Sequence, residues 1–299
     1  MTIDKIHSLF LECNSVATDT RKIEKDSLFV ALKGEKFDAN TFTNEALEKG
    51  AKYVIIDNAN YYLDHQTILV ENALETLQEL AKYHRTFLAI PIIALTGSNG
   101  KTTTKELIHA VLTQQYKTLA TIGNLNNHIG VPLTLLRFTK ETEIGIVEMG
   151  ANHQQEIAFL CSIAQPDFGY ITNFGKAHLE GFGGVLGVIE GKSEMYTYLS
   201  NNQKLAFVNL EDAIQVEKTK SLPNYTFGVD KLNANVSVTT VTANPFVSVV
   251  FEDLKITSHL IGLYNANNIN AAIDAASPVF IVSISGVIYS IISNNPNPS

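Results

Sequence analysis

The chain has 299 residues, of which 45% are hydrophobic and 17% charged, which predicts a folded protein of two domains and excludes a disordered one. Its formal net charge of −8 argues against nucleic acid or an anionic membrane as the main partner, because either would favour a basic surface. The two cysteines, Cys13 and Cys161, lie far apart and the N-terminal segment is polar, which favours reduced thiols in a protein that is not secreted.

The first part of the chain, up to about residue 85, predicts a small α/β unit. Short buried strands are predicted at residues 28–32 and 53–56, with a helical pattern between them at residues 44–49. An amphipathic helix predicted at residues 73–84 closes the unit, because its apolar residues recur on one helical face.

From about residue 91 onward, strands alternate with helix-length stretches. The predicted elements are a helix at residues 101–112 and strands at residues 92–95, 144–147, 169–172 and 205–208. Such alternation is typical of a mostly parallel α/β sheet. Closely spaced strand patterns at residues 235–241, 246–251 and 255–261 predict an antiparallel flap appended to that sheet.

The end of the chain differs in composition from the rest. Residues 279–292 form an apolar, β-branched run that is followed by Asn, Pro and Ser. The run is shorter than the roughly 20 residues that a membrane span needs. We therefore expect a strand, a packed terminal segment or a sequence artefact, and not a membrane anchor.

A glycine-rich loop, LTGSNGKTTTKE at residues 95–106, connects the predicted strand at 92–95 to the helix that begins at Lys101. The common phosphate-loop spacing would need a glycine at position 95, where the chain has Leu95. The loop is thus either a phosphate site of another spacing or a polar turn capped by threonine. Its position between a strand and a helix favours phosphate, because backbone amides and the helix N-terminus would face one point. Lys101 would then reach the β- and γ-phosphates, and the hydroxyl of Thr102 would bind Mg²⁺.

Four further polar residues lie at or after the ends of the predicted strands, or in a helix that comes later in the chain. Glu148 ends one strand, Asn173 and His178 follow the next, and Lys192 lies in a later helix. Considered alone, a histidine such as His178 is more often an ordinary hydrogen-bonded surface or core residue than a ligand, and a helical lysine such as Lys192 is more often exposed to solvent. Together they indicate a ligand site, because the carboxyl ends of parallel strands meet at one edge of a sheet.

These motifs resemble the ATP-dependent Mur ligases of bacterial cell-wall synthesis, from about Ser15 to Ala272. The family carries the compact TGSNGKTTT loop, which resolves the spacing problem. The matching motifs are TDTRKIEKDSLFVALKGEKFDANTF (18–42), GNLNNHIGVPLTLLR (123–137), EMGA (148–151), TNFGKAHLEGFG (172–183) and GLYNANNINAA (262–272). The 123–137 segment is similar to the branch that uses D-Ala-D-Ala and unlike the branch that adds the third peptide residue.

The resemblance implies a role for each matching residue. ATP would contact Gly97, Ser98, Asn99, Gly100, Lys101, Thr102 and Thr103, with Asn265 and Asn268 at the adenine end. Mg²⁺ would be held by Thr102, Glu148, His178 and Lys192, the lysine as a carbamate formed with CO₂. The catalytic residues would be Lys101, His178 and Lys192. The UDP-sugar substrate would contact Thr20, Arg21, Lys33, Phe37, Asn126 and Asn127.

The implied activity is ATP-driven amide formation through an acyl phosphate, which joins D-Ala-D-Ala to UDP-MurNAc-tripeptide. The resemblance also implies a cytoplasmic monomer whose partners are small molecules, with no nucleic acid or membrane. The implied domains are an N-terminal UDP-sugar-binding domain at residues 1–86 and a central ATP-binding domain at residues 87–276. The fold class is therefore α/β, with a mostly parallel central sheet and an antiparallel flap.

One departure from the family leaves alternatives open. The family's C-terminal ligase domain has no counterpart after about Asp274, and the apolar tail at residues 277–299 follows instead. A truncated, catalytically impaired fragment that still binds nucleotide or UDP-sugar is therefore one alternative. A ligase of the branch that adds the third peptide residue is the other.

Overall fold

The computed structural model describes residues 1–276, which form two compact units. The first unit contains residues 1–89 together with residues 127–140 and 163–165. The second contains residues 90–126, residues 141–162 and the described chain from Pro166 onward. The domain boundary at residues 86 and 87 stays a prediction, and the apolar tail at 277–299 lies outside the described residues.

The first unit is built on a parallel four-stranded sheet with the strand order β1-β2-β5-β6. Its elements are α1 (Ile3–Phe10), β1 (Val16–Ala17), β2 (Ser27–Val30), β3 (Lys33–Gly34), β4 (Phe37–Asp38), α2 (Thr43–Glu48), β5 (Ala51–Ile56), β6 (Thr67–Leu69) and α3 (Ala73–Leu88). All four residues of β2 are buried, and α3 is capped by Asn72, whose side chain accepts hydrogen bonds from the amides of Leu74 and Glu75. The predicted strands and helices of this unit are confirmed within a few residues.

The rest of the described chain supplies the larger sheet. Its elements are β7 (Ile92–Thr96), α4 (Lys101–Leu112), β8 (Thr118–Ala120), α5 (Gly130–Leu135, in the first unit), β9 (Ile144–Glu148), α6 (Glu156–Ala164), β10 (Phe168–Ile171), α7 (Leu179–Phe182), α8 (Val185–Asn201), β11 (Leu205–Asn209), α9 (Ala213–Lys218), β12 (Asn224–Val229), β13 (Val236–Val238), β14 (Thr240–Ala243), β15 (Phe246–Phe251), β16 (Leu254–Ile261) and α10 (Asn265–Ala276). Seven strands pair in parallel in the order β13-β12-β11-β10-β7-β9-β8. The predicted parallel α/β sheet is confirmed.

The core of this sheet follows from its apolar strands. Every residue of β7 and β9 is buried, as expected for central strands of a parallel sheet that is covered on both faces. Helix α4 directs Leu107, Ile108 and Val111 into a core cluster that also includes residues of α10. In the sheet, β7, β9 and β10 are neighbours, so the loops that follow them leave the same edge.

The predicted flap needs one correction. The segment 235–241 was expected to be one strand of an antiparallel flap, but it divides. Strand β13 joins the parallel sheet beside β12, whereas β14 pairs antiparallel with β15. The division comes at Thr239, whose amide already donates to Val250 in β15, while the buried Val236 and Val238 belong to the core of the main sheet. The antiparallel flap is thus the three-stranded sheet β14-β15-β16.

Within residues 1–276, no helix combines the length and the apolar character that a bilayer crossing requires.

Candidate active site

The loop between β7 and α4 depends on two glycines. Gly97 has a φ of +145° and Gly100 a φ of +79°, both in the region that favours glycine. A Cβ on Gly97 would lie 1.9 Å from the Thr172 hydroxyl, and one on Gly100 would lie 2.9 Å from the Asn268 amide oxygen. Because Gly100 is the N-cap of α4, no side chain at that position competes for the amides of the first helical turn. The geometry therefore suits an anion at the start of α4.

The loop after β10 holds this loop in place. The Thr172 hydroxyl and the Asn173 amide both donate to the carbonyl of Asn99, at 2.6 and 2.8 Å. The Asn173 side-chain oxygen accepts from the amide of Asn99 at 3.2 Å, and the Ser98 hydroxyl donates to the carbonyl of Gly175 at 2.7 Å. Ser98 and Asn99, predicted to contact ATP, therefore also fix the shape of the loop.

Lys101 lies over the loop that it follows. Its ammonium donates to the carbonyl of Gly97 at 2.8 Å. Burial lowers the pKa of Lys101, and attraction to the Glu148 carboxylate opposes that shift. Thr103, which was also predicted to contact ATP, is half-buried in the same helical turn. The ammonium of Lys101 thus lies at the N-terminus of α4, and its contact with phosphate stays a prediction.

Glu148 has hydrogen-bond partners on both of its carboxylate oxygens. Thr102 donates its hydroxyl to Oε2 at 3.0 Å, and Asn126 donates its amide to Oε1 at 2.8 Å. The amide of Glu148 itself donates to the Thr121 hydroxyl at 2.9 Å. Glu148 is buried, with only 2% of its surface exposed, whereas Thr102, which bonds to its carboxylate, is exposed to solvent. Asn126, predicted to contact substrate, is thus engaged with Glu148.

Two further metal ligands are predicted from the sequence, His178 and Lys192. His178 is an exposed residue in the left-handed region, with a φ of 54°, at the N-terminus of α7. In residues 1–276 no three of the His, Cys, Asp and Glu side chains converge as a metal-binding cluster. The assignment of Thr102, Glu148, His178 and Lys192 to Mg²⁺ therefore stays a prediction.

Lys192 is buried in α8, with only 2% of its surface exposed. Its ammonium lies 5.3 Å from the ring centroid of Phe182, which is itself buried. Burial, and then repulsion from Lys101, lower the pKa of Lys192 to about 8. The side chain of Phe182 fits against α8 because positions 187 and 191 are glycines, where a Cβ would lie 1.7 Å from the Phe182 carbonyl oxygen and 2.5 Å from its ring.

The predicted adenine-end asparagines lie at the start of α10. Asn268 accepts a hydrogen bond from the Thr104 hydroxyl at 3.1 Å and donates to Asn265 at 2.7 Å, and Asn265 donates to the carbonyl of Ile261 at 2.9 Å. Both asparagines are buried, and Asn268 packs against Gly100. They connect α10 to the phosphate loop, and their contact with adenine stays a prediction.

The first unit has its own cavity, of about 370 Å³. Its lining residues are Thr18, Asp19, Thr20, Arg21, Phe29, Phe37 and Phe42. Arg21 is held by the Asp19 carboxylate, at 2.9 Å through Nε and 2.7 Å through Nη2, and this contact lowers the pKa of Asp19 to about 2. The rings of Phe37 and Phe42 stack with centroids 5.6 Å apart. Three of the predicted substrate residues thus line one cavity.

Two predicted substrate residues have other contacts. The ammonium of Lys33 pairs with Asp57 at 2.8 Å, and Lys33 does not line the cavity described above. The side-chain oxygen of Asn127 accepts hydrogen bonds from the amides of Ile129 and Gly130, where α5 begins.

Sequence reasoning missed Thr121, which bonds to Glu148, and Lys105, which bonds to Thr121. Thr121 follows β8 and binds the amide of Glu148, and Lys105 of α4 donates to the carbonyl of Thr121 at 2.6 Å. A lysine in an amphipathic helix is usually exposed to solvent, so the sequence pattern did not mark Lys105 as a candidate site residue. Its one distinguishing feature is that position 105 falls on the apolar face of the helix, beside Ile108 and Leu112.

Family profiles match both parts of the chain. The profile described as "Mur ligase middle domain" matches residues 95–276, and "Mur ligase family, catalytic domain" matches residues 12–85. UDP-N-acetylmuramoyl-tripeptide–D-alanyl-D-alanine ligase of Bacillus subtilis is 44% identical over 204 residues, which are 68% of this chain and 45% of the relative. The Haemophilus influenzae protein of the same name is 37% identical over 270 residues, or 88% of this chain and 59% of the relative. The chain thus spans about half the length of these curated relatives.

Solved structures agree with the profiles. A crystal structure of MurF from Acinetobacter baumannii superposes with a TM-score of 0.83 at 31% identity, covering 99% of this chain and 68% of that one. MurF from Thermotoga maritima in complex with ADP gives a TM-score of 0.80 at 29% identity, covering 97% and 67%. The resemblance stated from the motifs is confirmed, and the chain belongs to the Mur ligase family.

Proposed function

We propose that this chain carries the ATP-binding and UDP-sugar-binding parts of a ligase that joins D-Ala-D-Ala to UDP-MurNAc-tripeptide. The observation that carries the proposal is the meeting of Lys101, Thr102 and Glu148 at the N-terminus of α4. The relatives with this printed name, and the MurF structure that contains ADP, support the same assignment.

The proposed reaction has two steps. A terminal carboxylate oxygen of the UDP-sugar peptide attacks the γ-phosphorus of ATP, the bond to the bridging oxygen breaks, and ADP leaves. The amine of D-Ala-D-Ala then attacks the carbonyl carbon of the acyl phosphate, phosphate leaves with the bonding electron pair, and the amine loses a proton. The first step brings two anions together, so charge neutralisation and positioning are the main demands on the protein.

The residues of the phosphate loop meet these demands. The amides at the start of α4 and the ammonium of Lys101 would bind the phosphates and offset their charge. The hydroxyl of Thr102 and the carboxylate of Glu148 are oxygen donors of the kind that Mg²⁺ prefers, and they already lie 3.0 Å apart. A bound Mg²⁺ would supply further neutralisation of the phosphate oxygens, with His178 and a carbamylated Lys192 as predicted additional ligands.

We assign the UDP moiety to the cavity of the first unit. Arg21 offers a guanidinium at its rim, and the stacked pair of Phe37 and Phe42 offers an aromatic surface for a base. Such a combination suits a pyrimidine nucleotide, with cationic and aromatic contacts at the two ends of the ligand. The expected partners are thus small molecules, and we expect a monomer that acts in the cytoplasm, where ATP is available.

Phosphate release tests this function. The full chain is incubated with ATP, Mg²⁺ and UDP-MurNAc-tripeptide, with and without D-Ala-D-Ala. We expect phosphate release that requires both substrates, and formation of the UDP-MurNAc-pentapeptide by mass spectrometry. Binding of both nucleotides without any phosphate release would favour the binding-only alternative instead.

A further inference from the structure

Lys105 is a completely buried lysine that the proposed reaction does not use. It lies one helical turn after Lys101 in α4. Its ammonium donates to the Thr121 carbonyl at 2.6 Å and pairs with the Glu106 carboxylate at 2.8 Å. Burying an ammonium costs free energy, and an ion pair with Glu106, whose side chain is 40% exposed, offsets little of that cost. Stability alone therefore gives no reason for a lysine at this position.

Thr121, the partner of Lys105, makes hydrogen bonds through its backbone amide, its hydroxyl and its carbonyl. Its amide donates to the Ile146 carbonyl at 3.0 Å, and its hydroxyl accepts from the Glu148 amide at 2.9 Å. Its carbonyl accepts from Lys105. Thr121 comes directly after β8, so these bonds extend the pairing of β8 and β9 past the end of β8, as far as Glu148.

The contacts close a ring through α4. Lys105 holds Thr121, Thr121 holds the backbone of Glu148, and Thr102 donates to the Glu148 carboxylate. Thr102 and Lys105 are three residues apart in the same helix, so their side chains leave neighbouring positions on its surface. The two residues that complete the ring, Thr102 and Lys105, thus belong to one rigid helix. The ring therefore sets where the Glu148 carboxylate lies relative to the Thr102 hydroxyl.

We propose that Lys105, acting through Thr121, is a positioning residue that fixes the Glu148 carboxylate beside Thr102 for the divalent cation that accompanies the nucleotide. This role rests on the proposed function, in which Thr102 and Glu148 hold Mg²⁺. It makes Lys105 part of the cation site although its side chain does not reach the cation.

The test measures how strongly Mg²⁺ and ADP binding depend on each other. The dissociation constant of ADP is determined by calorimetry on the full chain, once in saturating Mg²⁺ and once in EDTA, and the ratio of the two is the Mg²⁺ coupling. Lys105→Met and Thr121→Val should each lower this coupling about tenfold, the effect of one lost hydrogen bond of this type. The affinity in EDTA should stay within about twofold, because the loop amides and Lys101 are unchanged.

Matched variants separate positioning from general stability. Thr121→Ser keeps the hydroxyl and should restore the wild-type coupling. Thr118→Val makes the same substitution three residues earlier, in β8. Within residues 1–276 the Thr118 hydroxyl bonds only to the Tyr116 carbonyl, at 3.3 Å, so this variant should leave the coupling unchanged. Lys105→Met combined with Thr121→Val should lower the coupling by clearly less than the roughly 100-fold that two independent tenfold effects would give, because both act through one chain of contacts.

Hydrogen exchange at the Glu148 amide gives a second readout that needs no nucleotide. Thr121→Val should lose protection at this amide, and Lys105→Met should weaken it, whereas Thr118→Val should not. A Lys105→Met protein with a lower melting temperature but wild-type coupling and exchange would overturn the proposal. If Lys105→Met does not fold, equal coupling and exchange in Thr121→Val and Thr121→Ser would overturn it. A wild-type chain that binds no ADP would refute the proposed function, and the exchange result would still decide the role of Lys105.

Discussion

At the scale of single residues, Lys101 carries the most direct prediction. Its ammonium lies over the loop, on the carbonyl of Gly97. Lys101→Ala should therefore lower MgADP affinity by at least about 100-fold, in line with the loss of a charge-assisted contact to phosphate, and change the melting temperature little. Calorimetry and a thermal melt check both parts. Lys117→Ala is the control, because Lys117 is an exposed lysine paired with Glu141. Unchanged nucleotide affinity in Lys101→Ala would refute the phosphate-loop assignment.

Asp274 predicts how stability depends on pH. It is completely buried in α10, and neither of its carboxylate oxygens has a hydrogen-bond partner within residues 1–276. Burial raises the pKa of Asp274 from 3.8 to about 8. The folded protein therefore favours the neutral acid. The contribution of this group to stability is fully present below pH 3.8 and is lost as the pH rises from 3.8 to 8, by up to about 1.4 kcal/mol for each pH unit.

Asp274→Asn should remove this dependence, because an amide of nearly the same shape carries no charge. We expect the variant to be more stable than wild type at pH 8, and to differ little from it at pH 4. Urea unfolding at a series of pH values measures the effect, with the exposed Asp253→Asn as control. Equal slopes of stability against pH for wild type and Asp274→Asn would contradict the assignment of a raised pKa.

At the scale of elements, the packing of α7 on α8 depends on glycine. In an exposed helix, alanine at position 191 would be favoured over glycine by about 1 kcal/mol. Here its Cβ would lie 2.5 Å from the buried ring of Phe182, which has little room to move. Gly191→Ala should therefore destabilise the protein by about 1–3 kcal/mol, the usual cost of overpacking.

Gly34→Ala is the control for this prediction, because a Cβ on Gly34 meets no atom within 4 Å. Its stability should stay within about 0.5 kcal/mol of wild type. Chemical denaturation of both variants gives the comparison. A Gly191→Ala protein as stable as wild type would mean that Phe182 is not confined by α8.

Elements differ in how well a local pattern predicts them. β7 and β9 are buried on both faces and appear in the sequence as continuous apolar runs, so they and the parallel sheet could be predicted. The edge strand β8 is three residues long, and β12 begins with polar residues, so neither gives a clear signal. The phosphate loop could be found because its chemistry is local. The Lys105–Thr121–Glu148 contacts could not, because the pairing of β8 with β9 brings them together across 16 and 27 residues.

At the scale of the whole molecule, the two units should respond to different ligands. The first unit contains the cavity assigned to UDP, and the second contains the phosphate loop. A ligand stabilises the folded state that binds it, by about 2.7 kcal/mol at 100 times its dissociation constant. Hydrogen exchange resolves where that stabilisation appears along the chain.

MgADP should therefore protect residues 97–104 and 172–175, because the loops of these residues are hydrogen-bonded to each other. UDP should protect residues 18–21, 37 and 42, which line the cavity of the first unit. In Lys101→Ala the protection by MgADP should disappear, while the protection by UDP should remain, since the cavity lies in the other unit. Protection of residues 97–104 by UDP alone, with residues 18–42 unaffected, would show that the two nucleotides were assigned to the wrong units, because a ligand protects first the amides that it contacts.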